Sequence, residues 1–414
     1  MKKKEFKDLE FIEGGVCAAQ GFLANGVHCG LKVGGDPNKN DLAMIYAKVP
    51  CAAAAMYTTN KVQGAPIQVT KAHLKDGTAR AVIVNSVNAN TCNADGVEKA
   101  EKMCELTANA LGLKPEDVIV ASTGVIGQPL PIEPIIQGMT PLVEGLSENG
   151  NTEAVNAIMT TDTRQKEVAV EFKAGERTCR LGGMLKGSGM IHPNMATTLT
   201  FLTTDCAIDT ALLQEALREV VGLTLNRVSV DGDTSTNDMV CILANGAAGN
   251  PKITKENEDY ENFRDALYAV LMNLARMMAR DGEGATKLIE CLCDGAVDDR
   301  TAEIVAKSVI TSSLFKAAIF GEDANWGRIL CAVGYAPADF DIQQVNVNIS
   351  SDKGVIIVCE DGAGVEFSEE KAKEILSEEE IRVHVTIGKG EGAAVAWGCD
   401  LTYDYVRING DYRS

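Results

Sequence analysis

The chain has 414 residues, 45% of them hydrophobic, and a formal net charge of −19 at pH 7, enough length for two domains or one large one with a lobe. Residues 1–196 carry 20 basic and 21 acidic side chains, residues 197–414 carry 19 and 37, so the acidic excess belongs almost wholly to the second part. With no Lys/Arg block beyond Lys2-Lys3-Lys4, this balance argues against nucleic acid or an anionic membrane as partner and suits a small cationic substrate.

The 13 cysteines are odd in number and scattered, as expected of thiols in a reducing cytoplasm. No signal-like segment follows Met1 and no run of 18 apolar residues occurs, so the expectation is a cytoplasmic chain, neither exported nor membrane-spanning. Four distant histidines and Cys291-Leu292-Cys293 give no metal-ligand spacing, and no metal is expected.

Short β-branched runs alternating with longer helical patterns predict an α/β protein. In chain order, a strand over 81–84 precedes a helix over 96–111 whose apolar face carries Ala100, Met103, Leu106 and Ala110; a strand over 117–120 follows, then surface breaks at Pro129-Leu130-Pro131 and 147–151. A strand over 198–203 leads to a helix capped by Asp209, with Leu212, Leu213, Ala216, Val220 and Val221 as its inner stripe. After a strand over 228–230, residues 231–238 resemble a cation loop but lack the EF-hand spacing and terminal Glu; they read as an Asx-rich turn between strands. The longest helix, 260–280, turns Phe263, Leu267, Leu271, Leu274 and Met278 inward. Gly334-Tyr335-Ala336-Pro337 then separates a mostly helical region from a β-rich C-terminal part with strands over 345–349, 354–358 and 382–387.

The Ala196-Thr197 junction, between the Gly-rich loop Lys186-Gly187-Ser188-Gly189-Met190 and the strand at 198–203, admits two readings. One is a loop feeding a buried strand. The other is chemical: a threonine hydroxyl is a poor nucleophile, but at a chain terminus its own α-amino group, with a pKa of about 7.7–8.0, can take the hydroxyl proton. Cutting there would create a catalyst.

Further turns concentrate Gly, Thr, Asn and acidic residues: Ala121-Ser122-Thr123-Gly124-Val125-Ile126-Gly127, Thr160-Thr161-Asp162-Thr163, Arg280-Asp281-Gly282-Glu283-Gly284-Ala285-Thr286-Lys287 and Arg407-Ile408-Asn409-Gly410-Asp411-Tyr412-Arg413-Ser414. In this order, with the 186–190 loop, Ala196-Thr197, residues 320–328 and Trp397-Gly398-Cys399-Asp400-Leu401-Thr402, they resemble the ornithine acetyltransferase family, the bifunctional glutamate N-acetyltransferases, over nearly the whole chain. The resemblance implies a self-cleaving N-terminal-nucleophile enzyme of arginine biosynthesis with a layered α/β fold. It implies acetyl transfer from N-acetylornithine to glutamate by ping-pong through acetyl-Thr197, cleavage between Ala196 and Thr197 into chains 1–196 and 197–414 that stay one folded unit, and Thr123 and Gly124 as the oxyanion-stabilising pair. Thr160, Lys186, Thr197, Glu283, Asn409 and Ser414 match its substrate-binding positions. It further implies a heterotetramer of two alpha and two beta chains and no cofactor, leaving acetyl-CoA open as a co-substrate.

The chemistry suits these residues: donors fixed by a Thr-Gly turn can meet an oxyanion, Lys186 fits a substrate carboxylate and Glu283 the ornithine ammonium. Two positions depart from the family pattern. Val87 stands where glycine is usual, so a turn needing positive φ would be strained, and Thr198 stands where methionine is common. The rival readings are an N-terminal-nucleophile aminopeptidase of the same fold, a nucleotide-binding module at Gly388-Lys389-Gly390-Glu391-Gly392, and a catalytically silent scaffold; the glycine run lacks both the GxGxxG and the Walker spacing.

Overall fold

A computed structural model describes residues 9–32, 34–192 and 198–411. The first sheet takes β1 (Glu10–Ile12), β2 (Phe22–Val27), β3 (Leu42–Tyr57), β4 (Thr78–Asn85), β5 (Val118–Ser122), β6 (Glu167–Ala174), β7 (Arg177–Lys186) and β8 (Leu199–Thr204); after the short β9 (Val228–Ser229) of the other sheet it also takes β10 (Met239–Ala244). Its order is β1-β6-β7-β8-β10-β3-β4-β5, with β2 beside β3. The second sheet adds β11 (Leu288–Ala296), β12 (Asn346–Ser351), β13 (Gly354–Glu360), β14 (Ala363–Gly364), β15 (Glu380–Thr386) and β16 (Gly392–Cys399), in the order β14-β13-β12-β15-β11-β16-β9.

Helices α1 (Ala65–His73), α2 (Gly96–Leu111), α3 (Ile132–Glu144) and α4 (Asn151–Ile158) pack on the first sheet. Next come α5 (Thr210–Leu223) and α6 (Glu258–Arg280); α6 touches β6 and β7 on one side and β9, β11 and β16 on the other. The remainder are α7 (Asp299–Thr311), which covers β11 and β16, α8 (Ser313–Phe320), α9 (Trp326–Gly334), α10 (Glu369–Leu376) and α11 (Tyr403–Asp411). This is the layered α/β architecture expected from the sequence.

Local chemistry explains the boundaries. The Asp209 carboxylate accepts from the Ala211 amide and the Asn257 side chain from the Tyr260 amide, capping α5 and α6. The apolar stripe expected on α6 is buried throughout, in one core with Leu181, Leu202, Val228 and Trp397, which joins the layers. β8 is buried along its whole length, as a central strand with both faces covered must be, and its buried threonines are satisfied: Thr203 Oγ1 donates to Val16 O at 2.8 Å and Thr204 Oγ1 to Arg180 O at 2.8 Å. On β12 alternate residues are buried, the sign of a strand with one face covered.

One difference from the sequence reading concerns the C-terminal β-rich part. Its strands are not a self-contained unit, because β11 sits between β15 and β16, and β9 forms the far edge. Both precede the 334–337 break.

Candidate functional site

The site forms where β5, β7, β8 and β10 end or begin. After β5, the Thr123 amide donates to Asn85 O at 3.0 Å and the Val125 amide to Val87 O at 2.9 Å, so the Thr123-Gly124 turn lies tightly on the 85–88 segment. Gly124 has φ 131°, and a Cβ there would fall 2.1 Å from the Val87 carbonyl carbon; only glycine allows that approach. Side-chain amides hold both segments: Asn85 Nδ2 donates to Asn88 O at 2.9 Å, and Asn237 Nδ2 donates to Ser122 O at 2.9 Å and Ala89 O at 2.5 Å. Val87 adopts φ 77°. The strain expected at this departure from the family pattern is therefore present, since a β-branched residue at positive φ is an outlier.

Lys186 ends β7 and pairs in register with Leu199, the first residue of β8. It is buried rather than a solvated loop lysine. Burial pushes its ammonium pKa down, opposed by the carboxylates of Asp162, Asp238 and Glu283, while the nearby Lys166 charge adds to the depression. Asp162 Oδ1 accepts from the Gly187 amide and from Lys166 Nζ, both at 2.7 Å, and its Oδ2 accepts from the Thr160 amide at 3.1 Å. Burial alone would raise the Asp162 carboxyl; the Lys186 and Lys166 charges, helped by those hydrogen bonds, outweigh it and hold the group well below the usual carboxylate range. Lys166 Nζ also reaches Asp281 Oδ2 at 2.5 Å, so a buried Asp162–Lys166–Asp281 chain ties the turn after α4 to the end of α6.

Glu283 follows α6 and is buried. Its amide donates to Ser188 O at 3.0 Å, and its Oε2 accepts from Asn409 Nδ2 at 2.8 Å. Its carboxyl lies against Gly189, where a Cβ would come within 2.4 Å of Cδ. Asn409 is held on α11 rather than on a frayed tail, and Thr402, just before that helix, donates through Oγ1 to Gly284 O at 2.7 Å.

A small cavity of about 30 Å³ brings together Thr123, Lys186, Gly189, Thr198, Ser235 and Asp238. A wider cleft of about 720 Å³ holds Gly124, Val87, Thr160 and Lys39, whose Nζ donates to Thr160 O at 2.9 Å. The structure thus places Thr123 with Lys186, Gly124 with Thr160, and Glu283 with Asn409. Ala196, Thr197 and Ser414 lie outside the described residues. Residues 231–238 do link β9 to β10, and Asp231 accepts from the Met190 and Ile191 amides at 2.7 and 2.8 Å, fastening the 186–191 loop. The roles of Asp162, Lys166, Asp281, Asn237 and Asp238 were not expected from the sequence, although Asp162 and Asp281 sit inside two of the singled-out turns and Asn237 and Asp238 inside the 231–238 segment, read as a structural turn.

A layered α/β scaffold that sets buried opposite charges and a glycine-tight turn near one another suits an acyl-transfer enzyme. The chain belongs to the ArgJ family, whose sequence profile matches residues 23–414. It is 50% identical over 394 residues to the arginine biosynthesis bifunctional protein ArgJ 1 of Clostridium acetobutylicum, covering 95% of this chain and 96% of that one. It is 49% identical over 407 residues to the ArgJ bifunctional protein of Symbiobacterium thermophilum, covering 98% of this chain and all of that one. Among solved structures, the Bacillus halodurans arginine biosynthesis bifunctional protein argJ is 47% identical, with a TM-score of 0.49 over 51% of this chain and 98% of that one. The ornithine acetyltransferase of Mycobacterium tuberculosis, solved with ornithine, is 36% identical, with a TM-score of 0.42 over 45% of this chain and all of that one.

Proposed function

We propose that this member of the ArgJ family transfers acetyl from N2-acetyl-L-ornithine to L-glutamate through an acetyl-Thr197 intermediate, after self-cleavage between Ala196 and Thr197. Thr197 Oγ attacks the acetyl carbonyl, its α-amine takes the hydroxyl proton, and Thr123 and Gly124 stabilise the oxyanion. Ornithine leaves, and glutamate accepts the acetyl group from the same threonine. Lys186 receives the substrate carboxylate, Glu283 the ornithine ammonium, and Thr160, Asn409 and Ser414 complete the contacts.

The observation that carries this reading is the β7–β8 register. Lys186 stands opposite Leu199, two residues beyond Thr197 in the chain, and shares a cavity with Thr123 and Thr198. The same pairing supports the two-chain organisation. Residues 1–196 supply β1 to β7 and residues 197–414 supply β8 and β10 to one sheet, in which β10 also pairs with β3. Fragments 1–196 and 197–414 interleaved in this way stay together after a cut. We further assign the enzyme to the cytoplasm as a tetramer of two alpha and two beta chains, with acetyl-CoA as a candidate second donor. Among the described residues no helix is long and apolar enough to cross a membrane.

Mass spectrometry of purified protein tests the scheme. The expected result is a fragment beginning at Thr197 that gains one acetyl group on incubation with N-acetylornithine and loses it on addition of glutamate. Thr197→Ala stays a single chain without transferase activity. Absence of a polypeptide starting at position 197 would sink the mechanism, and free acetate as the main product with and without glutamate would favour the aminopeptidase. Glutamate acetylation from acetyl-CoA alone settles whether that second donor is used.

A further inference from the structure

The ladder between β7 and β8 joins residues 1–196 to residues 197–414, and its register runs on past the last paired residues. Leu181 stands opposite Thr204. One step further, the Asp205 amide donates to Arg180 O at 3.3 Å and the Arg180 amide donates to Asp205 Oδ1 at 2.7 Å. The next step sets Cys179 against Cys206. Because the Arg180–Asp205 step carries the hydrogen bonds, the cysteine step is of the kind without them, in which opposed Cα atoms lie about 4.5 Å apart. A disulfide spans Cα separations of about 4.4–6.8 Å. The two side chains do meet, since the Cys206 thiol has that of Cys179 as a hydrogen-bond partner, and both are fully buried in the core that joins the layers.

Across the paired strands no other two cysteines among the described residues face each other; Cys241 faces Ala55 and Phe201, for instance, and Cys291 faces Val383 and Ala396. Cys206 is held in place: its amide donates to Thr204 Oγ1 at 3.2 Å, and Asn250 Nδ2 donates to its Sγ at 3.5 Å. The contact with Cys179 and burial both push the Cys206 thiol pKa up, and the Asp205 charge adds to the rise. Little thiolate is therefore present, and the thiolate is the reactive form. The pair rests reduced and reacts when the end of the ladder opens. Such an opening is local, because Arg177 and Thr178, the two residues before Cys179, are exposed.

We propose that Cys179 and Cys206 form an oxidation site at which residues 1–196 and 197–414 become joined by a disulfide. A peroxide supplies the oxidising equivalents. One thiol takes an oxygen atom from hydrogen peroxide to become a sulfenic acid, releasing water; the sulfur of the second thiol then displaces that hydroxyl, which leaves with the second thiol's proton as another water. Two thiols and one peroxide thus give one S–S bond and two waters. In an uncut chain the bond closes a loop that contains the Ala196-Thr197 junction. Its inter-chain character rests on the cleavage proposed above. In cut protein it ties the two fragments covalently, replacing an association that denaturant and dilution can undo with one that they cannot.

The test treats the reduced, purified protein with hydrogen peroxide in sub-denaturing urea, blocks the remaining thiols by alkylation and digests with trypsin without reductant. Trypsin releases Cys179 in Thr178-Cys179-Arg180 and Cys206 in a peptide ending at Arg218. The expected product is these two peptides joined, two hydrogens lighter than their sum, separated again by a reducing agent and absent from Cys179→Ala and from Cys206→Ala. On a denaturing gel the fragments of cut protein run as one band after peroxide and as two after reductant, and the urea midpoint for their separation loses its dependence on protein concentration. Recovery of both cysteines in alkylated form, their conversion to sulfinic acid without linking, or linkage of Cys206 to a different cysteine overturns the proposal. So does a single band that persists in Cys179→Ala made from cut protein. The start of the longer peptide reports cleavage separately: a linked peptide beginning at Gly187 rather than Thr197 upholds the disulfide and removes its inter-chain role.

Discussion

Gly124→Ala probes the turn proposed to stabilise the oxyanion, where its geometry is least forgiving. A Cβ on residue 124 would lie 2.1 Å from the Val87 carbonyl carbon, 2.2 Å from its oxygen and 2.6 Å from the Asn88 amide nitrogen. Ordinary contact begins near 3.4 Å, so the turn or the 87–88 backbone must retreat by about 1 Å, and φ 131° is closed to alanine in any case. The stored strain is of order 1–3 kcal/mol, and a shift of about 1 Å at a catalytic group is enough to cost on the order of 10²-fold in rate. Loss of one oxyanion donor costs about 2.7–4 kcal/mol, or 10²–10³ in kcat. Because the donors meet charge that exists only in the transition state, kcat falls and KM stays nearly constant. The assay is steady-state transfer from N-acetylornithine to glutamate on fully cleaved protein. The obstructing atoms are backbone, so adding Val87→Gly to Gly124→Ala restores nothing. A variant within about threefold of wild-type kcat, a loss confined to KM, or rescue by Val87→Gly would each refute the argument.

Other perturbations separate the groups of the site. Lys166→Met leaves the Asp162 and Asp281 carboxylates buried without their shared cation and lowers stability by about 3–5 kcal/mol in urea titration; a loss under about 1 kcal/mol would mean the pair is solvated. Glu283→Gln keeps an acceptor for Asn409 Nδ2 but removes the charge, so the protein folds and its KM for N-acetylornithine rises about tenfold or more, with a smaller change for glutamate; equal changes would remove the ammonium assignment. Two shifted aspartates of the site, Asp162 and Asp238, bend stability against pH in opposite directions. Asp162 is held below its unfolded pKa of about 3.9, so its contribution is present above that value and lost as pH falls through the folded pKa. Asp162→Asn is therefore destabilising at pH 7 and less so in acid. Asp238 is raised, so above about pH 3.9 the native state holds a proton the unfolded chain has released, and stability declines as pH rises toward the folded pKa. Asp238→Asn is thus more stable than wild type at neutral pH and matches it below pH 4; thermal melts across that range with the opposite order would contradict the burial of this carboxyl.

Periodicity made the helices legible, since 96–111 and 260–280 carry continuous apolar stripes and flanking caps that local chemistry decides alone. The strands around the site were less so. β3 runs through Cys51-Ala52-Ala53-Ala54-Ala55, a segment with little strand propensity of its own, which extends because β10 pairs with it from Ala52 onward and β4 meets Cys51 and Ala52. No strand was expected over Leu288–Ala296, which forms β11 with β15 and β16 pairing on its two sides. Motif order pointed to Thr123, Gly124, Lys186, Glu283 and Asn409, which the structure groups as Thr123 with Lys186 at a small cavity, Gly124 at a wider cleft, and Glu283 with Asn409. Asp238 was hidden in a run of turn-forming residues, because the burial of its carboxyl is a tertiary property with no local sequence signature.

The buried charges also explain how a site could survive a cut in its own chain. Asp162, Lys166 and Lys186 belong to residues 1–196, whereas Asp281, Glu283 and Asp238 belong to residues 197–414. Each cation of the first group faces a carboxylate of the second: Lys166 bonds Asp281 directly, and Lys186 feels Asp238 and Glu283. Separating the two segments would leave charges of both signs unpaired in the interior, at a cost well above that of an exposed pair. Ion pairs that contribute little net stability to an intact chain would therefore act as a clamp between the two segments, and they fix side chains that we propose receive a charged amino acid.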